Sequence, residues 1–308
     1  MPQRIAVVDL GTNSTRLLIA DAQDHSLTEL ERRTTITRLG EGVDATRQLA
    51  DPAMDRVFAA LAEYRRLIDD LGATTVVGVA TSAVRDAENG EGFQASLRDR
   101  FGIEAQIISG DEEARLTFLG ATAGRAKTDG AAMVVDIGGG STEYVVGSPG
   151  YDPDFHVSTR MGSVRHSERH LQHDPPQPDE LRRLITEADE IIAAAIPSPT
   201  RDSATTGIAV AGTATTLAAV DQGLESYDSS KVDGYVLTRD VCKRILGQLA
   251  AVPVSERRAI PGLHPDRAPT IVAGVAILIQ SIAAFGLHRI EVSERDILHG
   301  VALSRSIS

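Results

Sequence analysis

Cysteine occurs once in these 308 residues, at Cys242, so the chain can hold no internal disulfide and no cysteine-based metal cluster. No stretch approaches the roughly 18 consecutive apolar residues of a membrane span. The apolar run at the N-terminus is cut short by Asp9, and no small-residue cleavage site follows, as a secretory leader would require. These absences lead to the expectation of a cytoplasmic protein with no membrane partner. Lysine is nearly missing as well, found only at 127, 231 and 243. The remaining cations are arginines, which grip phosphate bidentately, although a compositional bias of the source genome explains their excess equally well. A net charge of −12 speaks against a binder of nucleic-acid polymers, which carries a broad basic surface. It leaves room for a small anionic ligand, because a site can be locally positive on an acidic protein.

What is present reads as a globular α/β chain. The apolar fraction of 42% and charged fraction of 24% allow a sizeable core, and the length suffices for two ordinary domains. Short apolar runs at 5–8 and 17–20 flank a Gly-Thr-Asn-Ser turn, and 27–39 extends them into a meander. Met54, Val57, Phe58, Leu61, Tyr64, Leu67, Ile68 and Leu71 recur at spacings of three and four. They predict a helix over 52–71, with Asp51 as N-cap and Gly72 as stop. Strands follow at 76–80 and 105–108, with a short helix near 93–100 between them and a helix over 111–125 after them. From 131 the opening design restarts: an apolar strand ending in Asp136, a glycine-rich turn, and a second strand over 143–147. Helices at 179–195, 213–221, 238–250 and 269–285 dominate the rest, with a strand at 290–292 and a terminal helix from 293. Strands alternating with helices predict mixed sheets.

The duplicated strand–turn–strand carries the chemistry. In Asp9-Leu10-Gly11-Thr12-Asn13-Ser14-Thr15-Arg16, glycine permits close backbone approach and successive N–H groups can form a nest for an anion. Thr12, Asn13 and Ser14 add donors, Arg16 adds charge, and Asp9 has the oxygen chemistry to hold magnesium. An ordinary polar hairpin turn is the competing reading. The second copy, 127 residues on, is Asp136-Ile137-Gly138-Gly139-Gly140-Ser141-Thr142-Glu143. Three adjacent glycines cost conformational entropy and add no packing, and contact with phosphate oxygens would justify them. Gly212 and Thr213, before a helix, offer its N-terminal amides to an anion, or else simply cap it. His166, His170 and His173 have tempting spacing, but in a polar helix running into Pro175-Pro176 they are expected at the surface, without a metal.

Taken in order, these segments resemble the exopolyphosphatase and guanosine pentaphosphate phosphatase (Ppx/GppA) family of the actin/Hsp70/sugar-kinase superfamily. The resemblance spans essentially the whole chain. It runs through Asp9-Leu10-Gly11-Thr12-Asn13-Ser14, Thr81-Ser82-Ala83-Val84-Arg85-Asp86-Ala87-Glu88-Asn89 and Ile108-Ser109-Gly110-Asp111-Glu112-Glu113-Ala114-Arg115-Leu116. It continues through the triple glycine, Gly212-Thr213-Ala214-Thr215, Pro261-Gly262-Leu263 and Asp266-Arg267-Ala268. It implies an α/β fold of two actin-like (ribonuclease H-like) domains with mixed β-sheets and an interdomain active-site cleft. The expected domains are 1–125, joined by the terminal helix 293–308, and 126–292, with a hinge near Arg125 to Gly130.

The same resemblance makes Glu113 the catalytic base, with its neighbour Glu112 as the alternative, and makes Arg85 a phosphate contact. Gly11, Thr12, Asn13, Ser14 and Arg16 are expected to bind phosphate with Gly138, Gly139, Gly140, Ser141, Thr142, Gly212 and Thr213. Asp9, Asp136 and Glu143 are expected around magnesium or another divalent cation, and Glu143 also fits support of the attacking water. Arg267 could line the path of an anionic substrate or sit in a surface ion pair. The segment Leu298-His299-Gly300 departs from the family's Leu-Arg-Glu-Gly, which puts substrate contacts from that helix in doubt.

The implied activity is hydrolysis of the terminal anhydride of inorganic polyphosphate. A preference for short chains is expected, since the sequence resembles the two-domain members without further C-terminal domains. Guanosine pentaphosphate is the rival substrate; an ATP-dependent kinase and a non-enzymatic nucleotide-binding protein are the more distant readings. A homodimer is compatible with the resemblance.

Overall fold

Strand β1 (Gln3–Leu10) is buried on both faces, and its alternation divides its side chains between two apolar layers. Ala6, Val8 and Leu10 join Leu17, Ile19, Val57, Leu61 and Tyr64 on one side, under the helix Asp51–Asp70. Ile5 and Val7 join Leu18, Ala20, Leu298 and Val301 on the other, under the terminal helix Ile297–Ser306. Each such fully buried aliphatic side chain contributes about 1.5–3 kcal/mol relative to exposure. This sandwich is why the run is uninterruptedly apolar where a one-faced strand would alternate.

The structure is a computed structural model and describes residues 2–23, 26–125 and 130–306. The hinge expected near Arg125 to Gly130 falls mostly outside the described residues. The chain divides into two compact units, Met1–Gly120 with Ile297–Ser308, and Ala121–Asp296. In the first, β2 (Ser14–Gln23), β3 (Ser26–Ile36), β4 (Thr75–Ala80) and β5 (Ala105–Ile107) form a mixed sheet with β1, in the order β3-β2-β1-β4-β5. β1, β2 and β3 run antiparallel in succession, whereas β4 and β5 add in parallel.

The second unit repeats this scheme. Its strands are β6 (Ala131–Ile137), β7 (Thr142–Gly147), β8 (Phe155–Thr159), β9 (Ala204–Val210), β10 (Val236–Thr238) and β11 (Arg289–Val292), in the order β10-β11-β9-β6-β7-β8. β6, β7 and β8 form the antiparallel run, β9 and β11 the parallel flank, and β10 closes the far edge antiparallel. The duplication therefore extends from the hairpin to the sheet order. The very apolar helix Ile271–Ala284 is buried along nearly its whole length, against the helices Pro178–Ala195 and Arg239–Ala250. No helix among the described residues is long and apolar enough to cross a membrane.

Two local expectations need correction. Asp51 does not cap its helix: Ala50 holds the cap position without a side-chain bond, and Asp51 and Pro52 begin the first turn. The acid still favours the positive helix end and proline loses no needed hydrogen bond there. The histidines are not a surface set. His166 is completely buried, and only His173 is well exposed.

Candidate active site

In the first unit the turn after β1 is fixed by its surroundings. Gly11 N–H donates to Ser14 C=O at 3.0 Å, closing the hairpin. The Thr12 carbonyl accepts from Gly40 N–H at 2.8 Å, and the Asn13 carbonyl accepts from Thr37 and Arg38 N–H at 3.1 and 3.0 Å. In a trans peptide the carbonyl and the next N–H point oppositely. The amides of Asn13 and Ser14 are thus turned away from the 37–40 segment. Asp9, almost fully buried, is held by Arg16, whose Nε lies 2.8 Å from Oδ2. Thr12 Oγ1 meets Ser82 Oγ at 2.7 Å, tying the turn to the helix Ser82–Asp86 that carries Arg85. Arg85 Nη1 then donates to Ile108 C=O at 2.8 Å and to Glu113 Oε2 at 3.2 Å. Glu113 lies in the first turn of the helix Gly110–Thr122, and the residue is only 8% exposed. Parallel pairing of β1, β4 and β5 brings these pieces to the carboxyl ends of the strands, where open α/β sheets bind ligands.

The second unit builds the same feature differently. Gly138 N–H donates to Ser141 C=O at 3.0 Å, matching Gly11 and Ser14. The Gly138 carbonyl accepts from Ser163 N–H at 2.9 Å, and the Gly139 carbonyl from Val164 and Arg165 N–H at 2.9 and 3.0 Å. The Gly140 carbonyl accepts from Arg165 Nε at 2.7 Å. With all three glycine carbonyls turned to the helix Ser163–His170, the amides of Gly139, Gly140 and Ser141 face away from it, as an anion nest requires. Gly162 packs so closely that a Cβ there would come 2.4 Å from the Gly139 carbonyl. Thr142 Oγ1 donates to Met161 C=O at 2.6 Å, so its hydroxyl proton is committed within the protein. Asp136 pairs in register with Glu143 across β7 and with Val210 across β9. Gly212 and Thr213 follow Val210, at the same sheet end. There Ala211 adopts a left-handed backbone at φ 61°, and the Arg267 guanidinium lies directly over Gly212. Thr213 does not cap the helix Ala211–Asp221; Val210 stands at its cap position without a side-chain bond.

The Ppx/GppA phosphatase family model matches residues 18–307. The chain belongs to this family. Exopolyphosphatase 2 of Mycobacterium tuberculosis is 39% identical over 98% of this chain and 98% of its own. A solved exopolyphosphatase-like protein, 34% identical, superposes with a TM-score of 0.93 over 98% of this chain and 97% of its own. The Ppx/GppA family member of Aquifex aeolicus, 31% identical, does so with a TM-score of 0.83 over 100% and 98%. As a family member the protein is a hydrolase of the phosphatase type, and its two mixed sheets match the two-domain, actin-like architecture.

Within this Ppx/GppA chain, the two adjacent glutamates occupy different settings. Glu113 is buried against Arg85, while the Glu112 side chain is 46% exposed beside Arg115, with Nε to Oε2 at 3.4 Å. The donors for a divalent cation also differ between the two turns. Opposite Asp9 stands Arg16, a cation that engages the carboxylate; opposite Asp136 stands Glu143, a second carboxylate. Ser158 Oγ donates to Glu143 Oε1 at 2.7 Å and fixes that side chain. Two hard oxygen donors on one sheet face fit magnesium, so Asp136 and Glu143 fit it better than the Arg16-bound Asp9.

Sequence reasoning missed the groups that shape the turns. Gly40, Ser82, Gly162 and Arg165 lie far from them in the chain or had no role assigned. Arg165 is a buried guanidinium whose pKa burial draws down. Asn13 Oδ1 is buried without a hydrogen-bond partner among the described residues. Turned by 180°, its amide would present Nδ2 as a donor there.

Proposed function

We propose that the chain hydrolyses the terminal phosphoanhydride of inorganic polyphosphate, releasing orthophosphate one unit at a time. The observation that carries this reading is the Glu113–Arg85 pair, a buried carboxylate held by an arginine beside an amide-lined turn. Glu113 takes the proton of the attacking water, and Arg85 exchanges part of its contact with Glu113 for the terminal phosphoryl oxygens. The amides of Asn13, Ser14, Gly139, Gly140 and Ser141 bind phosphate oxygens, as do Gly212 and Thr213 at the start of their helix. Asp136 and Glu143 would hold magnesium, which would supply charge neutralisation of the anhydride. The name of the mycobacterial relative, Exopolyphosphatase 2, supports this substrate. The single cysteine, buried Cys242, supports the cytoplasm as the compartment.

The test is magnesium-dependent phosphate release from polyphosphate by the wild type and Glu113→Gln, with guanosine pentaphosphate as a competing substrate. Retained activity in the variant removes Glu113 from the role of base, and preferential cleavage of the nucleotide reassigns the substrate. Turnover per chain end on short and long polymers checks the expected short-chain preference, which equal turnover would refute.

A further inference from the structure

The helix Ser163–His170 has a second feature that no proposed phosphate contact uses. His166 and His170 lie one turn apart on it, with ring centroids 5.7 Å apart. Glu187, on the neighbouring helix Pro178–Ala195, reaches the same place. One ligand atom from each of the three side chains lies within 4.8 Å of the other two. His170 Nε2 is in direct contact with Glu187 Oε2, and Arg169 Nη1 holds the other carboxylate oxygen at 2.5 Å. His166 is completely buried; its Nδ1 takes the Gly162 N–H at a long 3.4 Å, and its Nε2 has no hydrogen-bond partner among the described residues.

A buried polar atom left unpaired is costly, whereas an aliphatic side chain in its place would carry no such cost.

We propose that His166, His170 and Glu187 form a binding site for one divalent transition-metal ion of the zinc class. Two imidazole nitrogens and one carboxylate oxygen are the donor set such ions prefer, while magnesium prefers oxygen alone. The site is therefore chemically distinct from the magnesium site proposed for the reaction. On binding through Nε2, the His166 ring proton moves to Nδ1 and the weak Gly162 contact is given up. The proton between His170 and Glu187 moves to His170 Nδ1 or to solvent, and Arg169 keeps its bond to Glu187. The metal then ties the 163–170 helix to the 178–195 helix. Because the first turn of the 163–170 helix holds the Gly138, Gly139 and Gly140 carbonyls, occupancy stiffens the support of the triple-glycine turn.

The experiment titrates the full chain, stripped with a chelator, with Co2+ and then with Zn2+. The expected result is one Co2+ per chain with the visible absorption of a low-coordinate nitrogen/oxygen site. Equimolar Zn2+ should displace it, and a large excess of magnesium should not. His170→Ala and Glu187→Gln lie at the more accessible side and keep the buried His166. Each should bind Co2+ at least about 100-fold more weakly while melting like the wild type in chelator. Absence of stoichiometric Co2+ binding, displacement by magnesium, or unchanged affinity in both variants would overturn the site. None of these readouts depends on phosphatase activity.

Discussion

Glu143 stands directly opposite Asp136 across the β6–β7 ladder, the position at which Arg16 stands opposite Asp9 across β1–β2. Directly opposed residues share a sheet face, so one hairpin presents an acid–base pair and the other a pair of acids. Glu143→Gln and Asp136→Asn are expected to raise the magnesium concentration for half-maximal phosphate release by at least ~10-fold. Asp9→Asn should instead act on the fold. It breaks a buried ion pair with Arg16, at a cost of about 3 kcal/mol, with the magnesium requirement of the folded fraction unchanged. Magnesium titrations of the three variants, beside their urea midpoints, check this division.

Glu113 and Glu112 offer a comparison between adjacent residues of the same type. Glu113→Gln should lower kcat by ~10²–10⁴-fold, the usual contribution of a general base. Glu112→Gln removes only an exposed contact with Arg115 and should stay within a few-fold of wild type. Single-turnover phosphate release on both variants decides between them, and equal losses would move the role of base elsewhere.

Gly300 and Gly247 should respond oppositely to the same change. A Cβ at Gly300 would come 1.8 Å from the Leu116 carbonyl, in the backbone of the helix that carries Glu113. Gly300→Ala should therefore cost about 1–3 kcal/mol or more and lower activity by displacing Glu113. Gly247, inside the helix Arg239–Ala250, has no described atom beyond its own helical backbone and chain neighbours within 4 Å of the added atom. There alanine should stabilise by up to about 1 kcal/mol, through helix propensity alone. Thermal melts of the two variants give the comparison directly.

The long periodic helices and the duplicated hairpins were legible because their signals are local: apolar spacing, and glycine where the chain turns tightly. β8 and β10 were not, since β8 mixes polar and apolar residues and β10 is a three-residue edge strand. The start of β9 is no plainer in sequence, because Thr205 and Thr206 there are exposed and interrupt the apolar run. At the site, residue types were legible and their settings were not. That Gly40 and Arg165 turn the loop amides outward depends on contacts made across the fold. The burial of His166 is similarly invisible in a helix whose sequence is otherwise polar.

Glu180 should make stability depend on acidity. Its carboxylate accepts from the Gln177 and Gln172 amides at 2.9 and 3.0 Å and contacts His173 Nδ1 at 2.9 Å. These bonds, His173 foremost, hold it down at about 2, against an ordinary 4.5. With the folded value lowered, the unfolded chain binds the extra proton first. The contribution is complete above about 4.5 and is lost as the pH falls towards 2. Glu180→Gln keeps one acceptor oxygen for the capping-box bond to Gln177 but loses the charge and the second acceptor, so it should be less stable at neutral pH by about 1 kcal/mol. Its urea midpoint should fall less steeply through that acid window than the wild type's.

Gly212 and Arg267 should behave as one unit towards substrate. A Cβ on Gly212 would sit 1.8 Å from Arg267 Nη1 and 2.1 Å from Cζ, so the guanidinium has to move. It is the far end of a flexible side chain, and the fold can absorb its displacement. Ala211 already adopts a left-handed backbone beside it, a local cost of about 1–2 kcal/mol, of the sort found where a site imposes its geometry. If the segment binds the substrate's phosphates, Gly212→Ala should raise KM for polyphosphate by ~10-fold and change kcat less, because uniform binding is what it removes. Arg267→Gln should do the same. The double variant should be no worse than either single one, since both changes take away the same guanidinium. Additive losses in the double variant would show that the two residues act separately and that the stacking over Gly212 has no part in binding.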